Sequence, residues 1–509
     1  MRRALLLVLL AACSDSTGTS DPVRILPRGA TTLQVGEQVQ LEARWADETR
    51  SSVPQATWAS SDTGVVRVSE SGLASARFPG TALVTARSGA ARDTVRLTVA
   101  PVEITWSGLG AVPERYTAEV SARGRYAYTT TWGSRLVGGV TTFGNAIKVW
   151  DVLGDAPVLV DSVIVTDDAP AVSARPLAAL PDADAEPLAH CHHCGEEGEA
   201  VSTLGDVQVS DDGTLLVVAT ERFPGAILVF GLADPAHPRL LARHRTRNTA
   251  SGVHTAEVAR VNGRQYAFLS VDPRVRDTLP GPQLVVVDLS APSAPVEVLA
   301  RAMGAPFMHD VFVRDGTLFT AEWNDGVRAW DVGGARGGSP ANPVQWAHLA
   351  IPGGAAHNVW WVHDSTTGAK RWLAIGQELG SFDPDASAGD IFVADMERAG
   401  GPRLAAFYHR DGAGTHNFSV DERSGVLYAA YYNDGVRALD VRGDLAACAA
   451  PARRASDGLC DLAAMGREVG RFTVPGPIFV WGVQRIGTSA YASDMLNGLW
   501  KLDVGRLRR

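Results

Sequence analysis

Lysine is almost missing from this chain: only Lys148, Lys370 and Lys501 occur among 509 residues. The bias reads as a signature of GC-rich coding, and the arginines that replace lysine are scattered, not clustered. With a net charge of −9 and no basic stripe, nucleic acid is excluded as a partner. Catalytic patterns are missing too. There is no Gly-x-Ser-x-Gly elbow, no His-Glu-x-x-His and no phosphate-binding loop. Asp-Gly pairs such as Asp212-Gly213 and Asp434-Gly435 lack the carboxylate spacing of a calcium loop and read as turns. Cysteine is sparse, with five residues in all.

What is present argues for a folded, multi-domain protein, since 509 residues at 45% hydrophobic content exceed one ordinary core. Arg2 and Arg3 open a positive segment, and Ala4 to Leu10 form an apolar run too short for a stable membrane-spanning helix. Leu10-Ala11-Ala12-Cys13 then resembles the lipobox of bacterial lipoproteins. That resemblance implies a signal peptide over 1–13, acylation of Cys13 and, because Ser14 follows, anchoring in the outer membrane. Residues 14–21 read as a flexible tether.

Residues 22–100 alternate in short strands, among them Val39–Ala43, Val66–Val68 and Val95–Val99, with turns at Gly72, Gly80 and Gly89. This pattern predicts a β-sandwich. Thr57-Trp58-Ala59-Ser60-Ser61-Asp62, Gly72–Ala76 and Pro79–Ala82 closely resemble the bacterial Ig-like group 2 (BIG2) domain, often a spacer or adhesive module. Trp58 reads as core.

From 101 to 509 one unit recurs. Its clearest part is a strand ending in Asp: Ile147–Asp151, Leu284–Asp288, Val327–Asp331, Ile391–Asp395, Val436–Asp440 and Leu499–Asp503, with Ile227–Gly231 a copy that has lost the Asp. These segments resemble the LVIVD repeat of bacterial surface propellers. Four short strands per unit predict one propeller blade each, hence an all-β chain with a seven-bladed propeller after the sandwich. The last copy stops near Asp503, and Val102–Ser107 is a period-two strand without a local partner. It is expected to complete blade seven and remove the open edge.

Aligning the first strands puts Tyr116, Gly205, His254, His309, His357, His416 and Trp481 at one channel mouth. An insertion of about 166–203 carries His190-Cys191-His192-His193-Cys194 followed by Glu196, Glu197 and Glu199. Thiolates and imidazoles at this density suit zinc or copper, and a ring histidine could complete the shell. The alternatives stay open: the ring histidines as strand-to-strand hydrogen bonders, and Cys191–Cys194 as a small disulfide or a redox pair. A c-type haem is excluded because Gly195 follows Cys194. Cys448 and Cys460 flank an Ala/Arg-rich loop that a disulfide would close. His237, His244, His348, His363 and His409 read as solvated surface.

Two functions follow. The first is a surface-tethered binding or scaffold lipoprotein whose propeller face engages a protein, glycan or small ligand. The second is a metalloenzyme with Zn, Cu or Fe on the histidine ring. Carotenoid-cleaving oxygenases and selenium-binding-type methanethiol oxidases offer an architectural analogy for it, without a sequence match.

Overall fold

The structure is a computed structural model that describes residues 22–47, 49, 55–166, 203–222, 224–272, 283–303, 307–383 and 386–507. The chain divides into two units, one ending at Ala100 and one starting at Pro101.

The first unit is built of short strands in three sheets. Along Gly80–Ser88 the alternation is regular: Ala82, Val84 and Ala86 are buried while their neighbours face out. The run Val39–Ala43 behaves differently from a single strand. Gln38–Gln40 pairs with Leu73–Ala76, whereas Glu42–Trp45 pairs with Val23–Leu26, and buried Leu41 marks the crossing between the two sheets. Trp58 is half-buried and lies over Gly72, where φ is +85° and an added Cβ would come within 2.4 Å of the Leu41 carbonyl.

The second unit is a seven-bladed propeller, each blade an antiparallel sheet whose first strand is innermost. The first strands are Tyr116–Arg123, Leu204–Val209, Val253–Val261, Asp310–Arg314, Ala356–Val362, Phe418–Asp421 and Val480–Ile486. Both faces of a blade are covered, so its middle strands are apolar throughout and not alternating. In Leu215–Thr220, Leu216 and Val218 pack with Ile147 and Val149 of blade one, while Val217 and Ala219 pack with Val258 and Leu269 of blade three. Each such buried aliphatic side chain contributes about 1.5–3 kcal/mol.

The Asp that ends each third strand has a local task. Asp151, Asp288 and Asp395 accept a backbone N–H two residues on, closing an Asx-type turn. The same carboxylates pair with Arg125, Arg264 and Arg371, which lead into the second strands. The repeat motif is therefore a turn lock, and blade two, with Gly231, does without it.

Two blades gain a fifth, parallel strand. Cys460–Asp461, carried by a loop of blade six and disulfide-bonded through Cys448–Cys460, adds to the outer strand Arg403–Tyr408 of blade five. Val102–Glu103 adds to Glu468–Phe472 of blade six. This corrects the expectation for Val102–Ser107. The segment is not one strand: after buried Ile104 the chain leaves blade six, and Thr105–Ala111 pairs antiparallel with Gly498–Asp503 as the outer strand of blade seven. Closure by the segment preceding the repeats thus holds, with the strand shifted C-terminally.

The seam is tight. A Cβ on Gly108 would lie 2.4 Å from Ala156 Cα in the turn between the third and fourth strands of blade one, where backbone cannot yield cheaply. Gly108→Val is predicted to destabilise the propeller by about 1–3 kcal/mol, as overpacking generally does. A guanidinium denaturation midpoint equal to wild type would show that the seam does not limit stability.

Candidate functional site

Strand pairing fixes which residues share the channel mouth. Most first strands carry a register irregularity there, with His254, His357 and Trp481 as the extra residues and Gly205 at the corresponding place. His309 and His416 precede the first paired residues of their strands, each donating its backbone N–H to the second strand. In blade one the irregularity falls between Thr117 and Val120, so the equivalent residue is Ala118 and not Tyr116. Tyr116 instead lies opposite Trp132 and under the Arg135 guanidinium. Similarity between Tyr116–Val120 and His254–Val258 misleads because the irregularity shifts the register by two residues.

The four histidines form one arc of neighbouring rings, edge-on between His254 and His309 and tilted in the other two pairs. Ring centroids are 4.2 Å apart for His254–His309, 4.1 Å for His309–His357 and 4.1 Å for His357–His416. His416 then meets Trp481 at 4.6 Å, and Trp323 stacks on His309 at 5.3 Å. Around this arc runs a second ring that sequence reasoning missed. One or two residues beyond the last pairing of each second strand with its third strand stand Trp132, Glu221, Asp272, Trp323, Glu378, Tyr432 and Met495. The signal was available, since Thr220-Glu221, Val271-Asp272 and Gln377-Glu378 occupy one repeat position.

These acids define the chemistry. His254 Nδ1 is 3.3 Å from Asp272, and its Nε2 is 3.0 Å from His309 Nε2. Burial opposes the His254 cation, but Asp272 and Glu221 outweigh burial and push its pKa up to about 10. One of the two rings donates across the His254–His309 contact and the other accepts. Glu378 Oε2 lies 3.7 Å from the Nε2 atoms of both His309 and His357, while the Tyr432 hydroxyl donates to Glu378 Oε1. One ligand atom each from His309, His357 and Glu378 lies within 4.8 Å of the others, and all three residues are buried.

His416 differs. Its Nδ1 is 2.7 Å from the Trp481 carbonyl, which can only accept, so Nδ1 carries hydrogen and Nε2 is the free lone pair. This is the strand-to-strand role expected of a structural histidine. Burial, aided by His357, also keeps it neutral. Burial raises Glu221 and Glu378 to about 7 each. The Glu221 carboxyl fills the place of an imidazole in blade two: a Cβ on Gly205 would sit 1.8 Å from its Oε1, and Trp132 Nε1 donates to it at 2.6 Å. Gly205 thus makes room for Glu221.

The segment His190, Cys191, His192, His193 and Cys194, with its glutamates, lies outside the described residues. His237, His348 and His409 are exposed beside Asp161, Asp325 and Asp390. His244 and His363 are not solvated surface as expected. Burial lowers the pKa of both, His363 to about 4 with help from the Arg314 charge.

Residues 20–99 match the bacterial Ig-like domain (group 2), and residues 281–300 match the LVIVD repeat. The chain is thus an Ig-like module followed by an LVIVD-containing propeller, the make-up of a surface-associated bacterial β-domain protein. No curated protein matches the sequence. Among solved structures, the crystal structure of Saccharomyces cerevisiae Sqt1 is similar at 9% identity and a TM-score of 0.44. That likeness covers 79% of this chain and 86% of the other. Among the described residues no helix is long and apolar enough to cross a membrane.

His363 yields a pH prediction. The unfolded chain protonates this residue near its ordinary pKa of about 6.5, whereas the folded chain does so only near 4. Stability therefore falls as pH drops through that window. His363→Gln should shrink the stability difference between pH 7 and pH 4.5 by about 1–3 kcal/mol. An identical pH dependence in both proteins, measured by denaturant melts, would contradict the assignment.

Proposed function

We propose that this chain is a surface-displayed binding lipoprotein, anchored in the outer membrane through Cys13, whose propeller holds a divalent transition ion at its axial mouth. The Ig-like module serves as the spacer between anchor and propeller. The observation that carries the metal reading is the convergence of His309, His357 and Glu378 ligand atoms within 4.8 Å in a buried site. Bonds of about 2.0–2.2 Å from imidazole and carboxylate to one ion need only small movements from that separation. The surroundings support the reading as well. The Tyr432 hydroxyl donates to the far oxygen of Glu378. Such an outer contact orients a metal ligand. Two imidazoles and a carboxylate suit Zn²⁺ or Fe²⁺, and Cu²⁺ also accepts imidazole.

The test is bound metal, measured by mass spectrometry on protein purified without a histidine tag. Near-stoichiometric metal is expected in wild type and in Cys191→Ser/Cys194→Ser, with loss of at least 90% (order of magnitude, from removal of two of three ligands) in His309→Ala/His357→Ala. A wild type that stays metal-free after incubation with Zn²⁺, Fe²⁺ and Cu²⁺ would overturn the reading.

Anchoring is tested separately. Wild type is expected to partition with membranes carrying acyl chains on Cys13, and Cys13→Ala to remain unprocessed or turn soluble. A free wild-type protein whose N-terminus lies beyond residue 13 would contradict the anchor.

A further inference from the structure

We infer that the outer strand of blade one, Val158–Ile164, is a docking edge for an extended segment of a partner protein. The segment adds as a fifth, parallel strand and is aliphatic except for one lysine or arginine set against Asp161. Among the described residues the propeller exposes thirteen large hydrophobic side chains, and nine of them belong to blade one. On its outer strand Val158, Leu159 and Val160 are exposed in succession and Ile164 follows, at 59, 46, 37 and 48%. Three consecutive exposed aliphatic residues break the alternation of a strand with one wet face and mark a surface with a use. Other outer strands are guarded. Blade two carries Arg239 and Arg243 there and blade three Glu297 and Arg301, while the exposed residues of Val344–Leu349 in blade four are Gln345 and His348. Charged and polar side chains are the means by which edge strands resist pairing.

The propeller itself shows how such an edge is filled. In blades five and six the outer strand has one extra residue opposite the third strand, Ala405 and Val469. The added strand pairs with the two residues that follow, Ala406-Phe407 and Gly470-Arg471. The residue after each added strand then donates its backbone N–H to the second of these carbonyls, Leu462 to Phe407 at 2.8 Å and Ile104 to Arg471 at 2.7 Å. Blade one has the same irregularity with Val160 as the extra residue, so the corresponding pair is Asp161-Ser162. Among the described residues no strand lies beyond Val158–Ile164.

Asp161 selects the occupant. On blade six Ile104 lies over Gly470, where an added Cβ would meet its Cδ1 at 3.4 Å. In blade one that place belongs to Asp161, whose carboxylate accepts the Ser162 N–H at 2.7 Å and lies 3.2 Å from His237 Nδ1. An aliphatic side chain there would desolvate the carboxylate, whereas a lysine or arginine pairs with it. The same residue disfavours a second copy. Two outer strands meeting across a two-fold axis run antiparallel, and a register centred on Val158–Ile164 sets one Asp161 against the other.

The probe is a short fluorescein-labelled peptide, Thr-Val-Thr-Lys-Val-Thr, added to the full chain and read by fluorescence polarisation. Saturable binding is expected, weaker by at least about fivefold when Glu replaces the Lys of the peptide. Asp161→Lys should reverse that preference, and Val160→Lys should abolish binding of both peptides with the melting curve unchanged. No binding of either peptide, or an Asp161→Lys protein that keeps the wild-type preference, would overturn the proposal. Binding that emerges only after deletion of residues 167–202 would overturn it too, by making the chain's own segment the occupant. So would a concentration-dependent dimer in sedimentation that Val160→Lys dissolves, which would make the occupant a second copy.

Discussion

Everything in the propeller depends on the lateral joining of its inner strands. Polar side chains on one first strand accept backbone N–H groups from the next. Ser121 takes Val209, Asp206 takes Ala256, Glu257 takes Val313 and Ser419 takes Arg485 at 2.9, 2.8, 3.4 and 3.1 Å. Gln208 and Gln484 do the same for Val258 and Ala122. A buried backbone group must be satisfied somewhere, and the inner edge of each blade has no further strand to pair with. These side chains satisfy it and set the angular spacing of the blades together. The closure between Thr105–Ala111 and Gly498–Asp503 then converts a row of blades into a ring.

That constraint also explains why so many acids lie inside. Glu119, Asp206, Glu257 and Asp310 are drawn into the channel by the backbone and amide donors they serve, and burial raises all four. The second ring, at the mouth, has a different logic. Glu221, Asp272 and Glu378 lie beside histidines: Asp272 holds His254, while Glu221 and Glu378 take donors from the neighbouring blades, Trp132 and Tyr432. The two sets share one channel but different duties, which is why the mouth carries the functional argument.

Much of this was legible in the residues. The strand ending in Asp announced the repeat, and its physical meaning, a turn lock joined to an arginine, explains why the motif survives in degenerate copies. The mouth histidines His254, His309, His357 and His416 followed from aligning those copies. The errors share a cause. Placing Tyr116 at the mouth and treating Val102–Ser107 as one strand both assumed regular register, whereas an irregularity in blade one and a crossing at Ile104 break it. Glu378 and Asp272 escaped because they close second strands, away from the conspicuous motif. His363 looked like surface because its burial comes from Arg314, Trp361 and Glu422, which no local pattern reveals.

The central claim is that an ion at the propeller axis is held by imidazole and carboxylate from the blades alone. X-ray absorption at the edge of the bound metal reads the first coordination sphere directly. The account predicts a shell of nitrogen and oxygen only, at about 2.0–2.2 Å, with the outer-ring scattering of two imidazoles. A sulfur contribution near about 2.3 Å would contradict it, because thiolates from Cys191 and Cys194 would then be ligands in place of the axial set.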